Sequence, residues 1–387
     1  MTETQQSPDS TNFDRLQHAA EAGDADAAYH LGTVLADVLD PPDLTGARRW
    51  WEEAAEAGNP HAAYRLGHLL ATQVEPPDVA GARRWLEKAA AAGHPAAAYN
   101  VGVLLVNELD PPDLAGARRW WEQGAAAGDS EAANRLGTLL SEQLDPPDLA
   151  GAARWYQQSA EAGSSHAAYN LGMLLATRID PQDLAGARHW LRQSAESGDA
   201  DAAFELGRLL AERINPPELD DARRWYQLAA EAGHPEAAKD LGYLLAFEVD
   251  PPDLAGARRW YLQGAEAGDL AAAFNLGYLL AAQLDPPDLA GAARWYQQAA
   301  ENGSADAAFE LGDLLAGQLD PPDPAGACRW YQQAAEAGHP HAACYLGILL
   351  ATRLDPPDPA GARHWWTVGA DTGDTQAADL LATLPPE

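Results

Sequence analysis

Cysteine is nearly absent: Cys328 and Cys344 are the two thiols in 387 residues. So few exclude a disulfide framework and read as lone buried or surface thiols. Long apolar runs are missing as well. No stretch of 18 apolar residues occurs, so no membrane-spanning helix is expected. The opening "MTETQQSPDSTNF" is polar and acidic with no apolar signal region, and the chain is read as cytoplasmic. Positive charge is scarce: 25 Lys and Arg face 58 Asp and Glu, a net charge of −33. Phosphate recognition needs a basic surface, so neither nucleic acid nor an anionic membrane is an expected partner. A basic peptide or protein is electrostatically admissible. Lysine is almost missing in its own right, with Lys88 and Lys239 alone, a bias that fits a GC-rich genome better than a mechanism.

What is present is a repeat. "DPPDLAGARRW" starts at Asp110 and again at Asp250, and altered copies start at Asp40, Glu75, Asp145, Asp180, Asn215, Asp285, Asp320 and Asp355. The ten copies are spaced 35 residues apart without insertion or deletion, the signature of a solenoid. Within one unit, "GNPHAAYRLGHLLATQVEPPDVAGARRWLEKAAAAG", two helical patterns flank a Pro-Pro break. Helix A is expected over about 60–73, with Ala62, Ala63, Leu66, Leu69 and Leu70 on one face. Helix B is expected over about 79–92, with Ala82, Trp85, Leu86, Ala89 and Ala90 on one face. Nothing alternates with period two, which excludes strands.

The sequence marks its own helix ends. Pro324 and Pro359 stand where proline suits a first helical position, so Asp323 and Asp358 are expected N-caps. The same logic starts helix A at Pro60, Pro95, Pro235 and Pro340. Gly closing helix B, as in "EAGHP", fits a left-handed C′ residue. The expected architecture is all-α: a right-handed superhelical α/α solenoid of about ten helix pairs over 24–373. Residues 1–10 are read as a disordered tail, 11–23 as an N-terminal capping helix, and 374–387 as a C-terminal capping helix and tail. Arg15 in the tryptophan register of the first helix suits a cap, since no earlier repeat covers it.

"HAAYRLGHLL" followed by "ARRWYQQAAEAGHP" resembles the Sel-one-like repeat, a relative of the tetratricopeptide repeat. The resemblance runs from about Asn12 to Leu384 and rests on Leu-Gly, Ala, Trp-Tyr, Ala-Ala and Gly at constant spacing. The loop departs from the family, since "LDPPD" replaces a longer, glycine-rich one. The resemblance implies an adaptor or scaffold that binds proteins, and it brings no catalytic residues or cofactor.

Three sets of residues invite chemistry. Ten tryptophans from Trp50 to Trp365 share one register, and their sameness argues for packing. Nineteen linker carboxylates could suggest a cation site, but the second of each linker is already an expected cap, which the Arg pairs can screen. His339, His341 and Cys344 are close in sequence but have weak metal-ligand spacing. No metal site is expected.

The informative positions vary between repeats. The helix A face of His61, Tyr64, Arg65, His68 and Thr72 gives two lanes at the 35-residue spacing. From these we single out Phe204, Arg208, Lys239, Tyr243, Phe247, Phe274, Tyr278 and Phe309 as candidate partner-binding residues, with Glu205, Glu212, Asp240, Glu310 and Asp313 around them. Aromatic anchors with a charged rim suit a peptide groove. The expected function is a non-enzymatic interaction scaffold, binding a protein or peptide on an acidic, aromatic concave face. The alternatives are a hydrolase-like enzyme and a purely structural spacer.

Overall fold

A computed structural model describes residues 8–383, which form 22 helices and no strand among the described residues. Helix pairs are counted here from Ala25. In the second pair, helix A is Pro60–Thr72 and helix B is Val79–Ala91. A helix at Pro8–Glu21 precedes the pairs and one at Thr375–Ala382 follows them. Residues 8–10, assigned to the tail from sequence, are therefore helical, and the rest of that tail lies outside the described residues. The chain divides into two compact units, 1–194 and 195–387.

Local chemistry sets the helix ends. Asp43, Asp78 and Asp113 each accept a 2.8 Å hydrogen bond from the backbone N–H of the glycine three residues on. Asp323 and Asp358 do the same ahead of Pro324 and Pro359. The glycine is required, because a Cβ on Gly81 would collide with the Asp78 carboxylate. The sixth pair shows the reverse. Asp221 replaces that glycine, Glu218 stands at the cap, and no capping bond from its side chain forms. Each helix B ends at a glycine with positive φ, such as Gly58 at 99°.

Helix A starts differ from expectation in three pairs. Pro60 does open its helix behind an Asn59 cap. Behind Pro95, Pro235 and Pro340 the helix begins two residues later, at Ala97, Ala237 and Ala342, with no side-chain cap bond. The caps expected there, His94, His234 and His339, give way to Ala96, Glu236 and His341; each of the three imidazoles is stacked on a ring, and His234 Nδ1 also accepts the Glu236 backbone N–H at 3.3 Å.

The deepest side chain is not the repeated tryptophan. Trp50, Trp85 and Trp260 are buried, but the other seven are half-buried. The next residue is buried in every pair: Trp51, Leu86, Trp121, Tyr156, Leu191, Tyr226, Tyr261, Tyr296, Tyr331 and Trp366. It packs on the glycine in the middle of helix A, where a Cβ on Gly242 or Gly277 would lie 2.6 Å from the tyrosine ring. The Arg pairs likewise serve helix B more than the linker. Arg49, Arg83 and Arg118 pair with Glu53, Glu87 and Glu122, one turn on.

Helix A ends in one of two ways. In the first, second, third, fifth and tenth pairs it stays α to its end. In the other five it widens into a π-type last turn: Leu139–Gln143, Leu209–Arg213, Leu244–Glu248, Leu279–Gln283 and Leu314–Gln318. Those five pairs are the ones with tyrosine at the deep position. The Trp51, Trp121 and Trp366 indole N–H groups donate to the carbonyls of Tyr29, Tyr99 and Cys344, about two turns before the end. A tyrosine hydroxyl reaches further: that of Tyr156 lies 3.1 Å from Thr138 Oγ1 and 3.3 Å from Ser141 Oγ. The wider turn gives that hydroxyl room.

Candidate protein-binding face

The eight candidate residues all lie on helix A of the sixth to ninth pairs, and the structure separates them into two groups. Phe204, Phe274 and Phe309 face inward. Phe204 is buried at 7% exposure, with its ring stacked 4.1 Å from His234 and tilted 5.7 Å from Tyr226. This corrects the expectation that Phe204 fronts solvent: its two faces are covered by the next pair's cap histidine and by helix B. Phe309 is half-buried, stacked 4.2 Å from His339 and 5.5 Å from Tyr331. Phe274 is half-buried against Tyr296 at 5.5 Å. His94 repeats the arrangement on Tyr64 at 4.1 Å. Burial lowers the pKa of His94 and His339, because a stacked imidazole loses solvent for its charged form.

Tyr243, Phe247 and Tyr278 face outward. Their exposures are 50%, 43% and 41%, values that leave most of each ring edge wet. Ring centroids of Tyr243 and Phe247 are 5.1 Å apart, and those of Phe247 and Tyr278 are 6.4 Å apart. The three rings form one stripe from the seventh to the eighth helix A. The two cations of the set are internally engaged. Arg208 pairs with Glu205 at 2.6 Å, and Lys239 reaches Asp240 at 3.3 Å and Glu236 at 3.9 Å.

Beside the stripe, between the sixth and seventh pairs, is a cavity of about 310 Å³. Tyr226 and Tyr243 line it, with Leu219 and Leu244 adding apolar surface. Glu212, Asp240 and Glu248 supply three carboxylates. Burial raises the Asp240 pKa against the opposing pull of Lys239. Burial also raises that of Tyr226, and Asp240 and Glu212 add to the effect.

Ten consecutive matches to the Sel1 repeat cover residues 25–374, in phase with these helix pairs. The chain belongs to the Sel1 repeat family. Among solved structures, this Sel1 repeat chain is similar to a protective antigen of uropathogenic Escherichia coli with an SLR fold. Identity is 28% and the TM-score 0.69, over 96% of this chain and 81% of that one. It is also similar to a Sel1 repeat protein from Oxalobacter formigenes, at 26% identity and TM-score 0.51, over 87% and 89% of the two chains. A search of curated proteins finds no match.

Two features of this Sel1 repeat face escape sequence reasoning. Tyr226 looks like one more member of the Trp-Tyr motif, and Glu248 like an ordinary helix-end acid. The signal lay at Arg208. Thr138 and Asp313, at the same position in other repeats, accept or share a hydrogen bond from the deep tyrosine. Arginine cannot accept one. Elsewhere, Cys344 is buried, and burial with Asp374 nearby holds its thiol at about 11, away from a reactive thiolate. Among the described residues, no three of His, Cys, Asp or Glu gather closely enough to hold a metal ion.

Proposed function

We propose that the chain is a non-enzymatic interaction scaffold that binds a peptide or partner protein on the helix A face of its seventh and eighth pairs. The observation that carries this reading is the stripe of Tyr243, Phe247 and Tyr278. The fold does not account for it, since the core of each pair is supplied by helix B aromatics and by the Ala and Leu positions. Contiguous exposed rings bounded by polar side chains mark recognition surfaces on proteins. Phe247 is the sharpest case: its equivalents in neighbouring pairs are Glu212, Ala282 and Gly317, none of them aromatic. The Sel1 repeat fold, commonly a protein-interaction scaffold, supports the same reading.

Of the candidate residues, Tyr243, Phe247 and Tyr278 make the contact, and Phe204, Phe274 and Phe309 hold the helices that carry them. The test pans a random peptide display library on the wild-type chain and measures the enriched peptides on Phe247→Ala/Tyr278→Ala. Each lost anchor is expected to weaken binding by about tenfold, equivalent to about 1.4 kcal/mol, with little change in melting temperature. Enriched peptides that bind the double variant as tightly as the wild type would place recognition elsewhere.

A further inference from the structure

We propose that the cavity between the sixth and seventh pairs is an arginine pocket, which takes one guanidinium side chain from the bound partner while the aromatic stripe takes its apolar residues. This rests on the peptide-binding reading above and specifies the partner's chemistry.

Charge is the first argument. Glu212, Asp240 and Glu248 line the cavity; Lys239 is shared between Asp240 and Glu236, and Arg208 feels the charge of Glu212 without forming an ion pair with it. Neither Glu212 nor Glu248 has an ion-pair partner among the described residues. Arg208 is held by Glu205 through two nitrogens, at 2.6 and 3.1 Å. The pocket thus keeps two carboxylates without an ion pair beside one that is paired, and its acids outnumber the cations near them.

The second argument is independent of charge. Tyr226 is 2% exposed, yet its hydroxyl makes no hydrogen bond among the described residues, and the cavity is the open space beside it. The same hydroxyl in Tyr156 and Tyr331 is satisfied from helix A, by Thr138 and Asp313. Arg208 occupies that position here, has no acceptor to offer, and is turned to Glu205. Unlike the Tyr261 hydroxyl, which is sealed from solvent, that of Tyr226 is reached from the cavity and is free to pair with a donor that enters it. A guanidinium N–H would donate to the Tyr226 oxygen.

Shape selects arginine. The carboxylates are not gathered as metal ligands are, so the occupant must carry its donors over several ångströms, as a planar guanidinium does. Tyr243 offers a ring face for it, and Leu219 and Leu244 cover the aliphatic stem. The chain uses such stacking on itself: Arg259 lies 4.8 Å above the Trp260 ring and Arg84 4.9 Å above Trp85.

The probe is N-acetyl-arginine N-methylamide, followed by saturation-transfer NMR on the full chain. The wild type should saturate the arginine side-chain methylenes. The neutral citrulline analogue, and arginine on Glu212→Gln/Asp240→Asn/Glu248→Gln, should each bind at least about tenfold more weakly, the scale of one charged hydrogen bond. Asp285→Asn/Asp320→Asn, which removes exposed linker charge, should bind as the wild type does. So should Phe247→Ala, whose ring lies outside the pocket. The proposal is overturned if citrulline or capped lysine matches arginine, or if the triple variant keeps the wild-type response. It is equally overturned if the linker or Phe247 variant loses that response. Failure of the peptide-display test with this result intact would sink the stripe and leave the pocket, and the converse would do the reverse.

Discussion

One hydroxyl group separates residues that are otherwise interchangeable. Tyr156 and Tyr261 occupy the same position in different pairs, and both rings are buried against a helix A glycine. The Tyr156 hydroxyl has Thr138 and Ser141 as partners, whereas the Tyr261 hydroxyl is buried with none among the described residues. Tyr156→Phe should therefore lower stability by about 1 kcal/mol, and Tyr261→Phe should leave it unchanged or raise it. Urea melts of the two variants decide this, and equal losses would mean that the Tyr261 hydroxyl is satisfied in solution. The sequence made these positions visible as apolar spacing but hid their difference. A hydrogen bond depends on a residue 18 positions earlier on another helix, which helical periodicity does not report.

At the scale of the element, helix limits were the most legible feature. Proline, aspartate and glycine act through their immediate neighbours, so caps and stops follow from a few letters. The cap histidines were misjudged because stacking on Tyr64, Phe204 and Phe309 is a contact between pairs. The width of the last turn of helix A was not legible at all. Two side chains change with it: tyrosine at the deep position, and loss of a short polar side chain at the helix end. Thr72, Thr177 and Thr352 each hydrogen-bond the carbonyl four residues back in an α-type end. If the tyrosine hydroxyl forces the widening, Leu191→Tyr should convert the end of Ser165–Thr177 to a π-type turn. Thr177→Ala should leave it α. A crystal structure of each variant reads the outcome, and widening in the threonine variant alone would reverse the assignment.

For the whole molecule the dominant quantity is the charge of −33. Most acids relieve it by lying at caps or in solvent, but Glu310 is half-buried with Asp313 and Asp306 near it. Burial first, and those two carboxylates second, raise its pKa. The folded chain then holds a proton more tightly there than the unfolded chain does. Between the ordinary carboxylate value and the raised one, stability therefore falls as pH rises, and the full penalty is present at neutral pH. His94 and His339, with lowered values, act in the opposite sense and lose stability as pH falls through the ordinary histidine range. Comparing Glu310→Gln with the wild type isolates the carboxylate. The variant should melt higher at pH 7, with a gain that shrinks toward pH 4, and a constant gain across that range would refute the burial argument. Charge was read directly from composition. Which acids are stranded was not, because that depends on packing.

The constant stride of 35 residues has a consequence for how such a chain changes over generations. Most pairs are built from the same parts: a cap aspartate, a closing glycine, and a bulky apolar side chain set on a helix A glycine. A copy gained or lost in frame would keep those parts in step, so length can drift while local geometry is inherited. Recognition then becomes a matter of address. Tyr243, Phe247 and Tyr278 belong to two adjacent copies and would travel with them, so relatives of different length could carry the same proposed face at a different distance from either end.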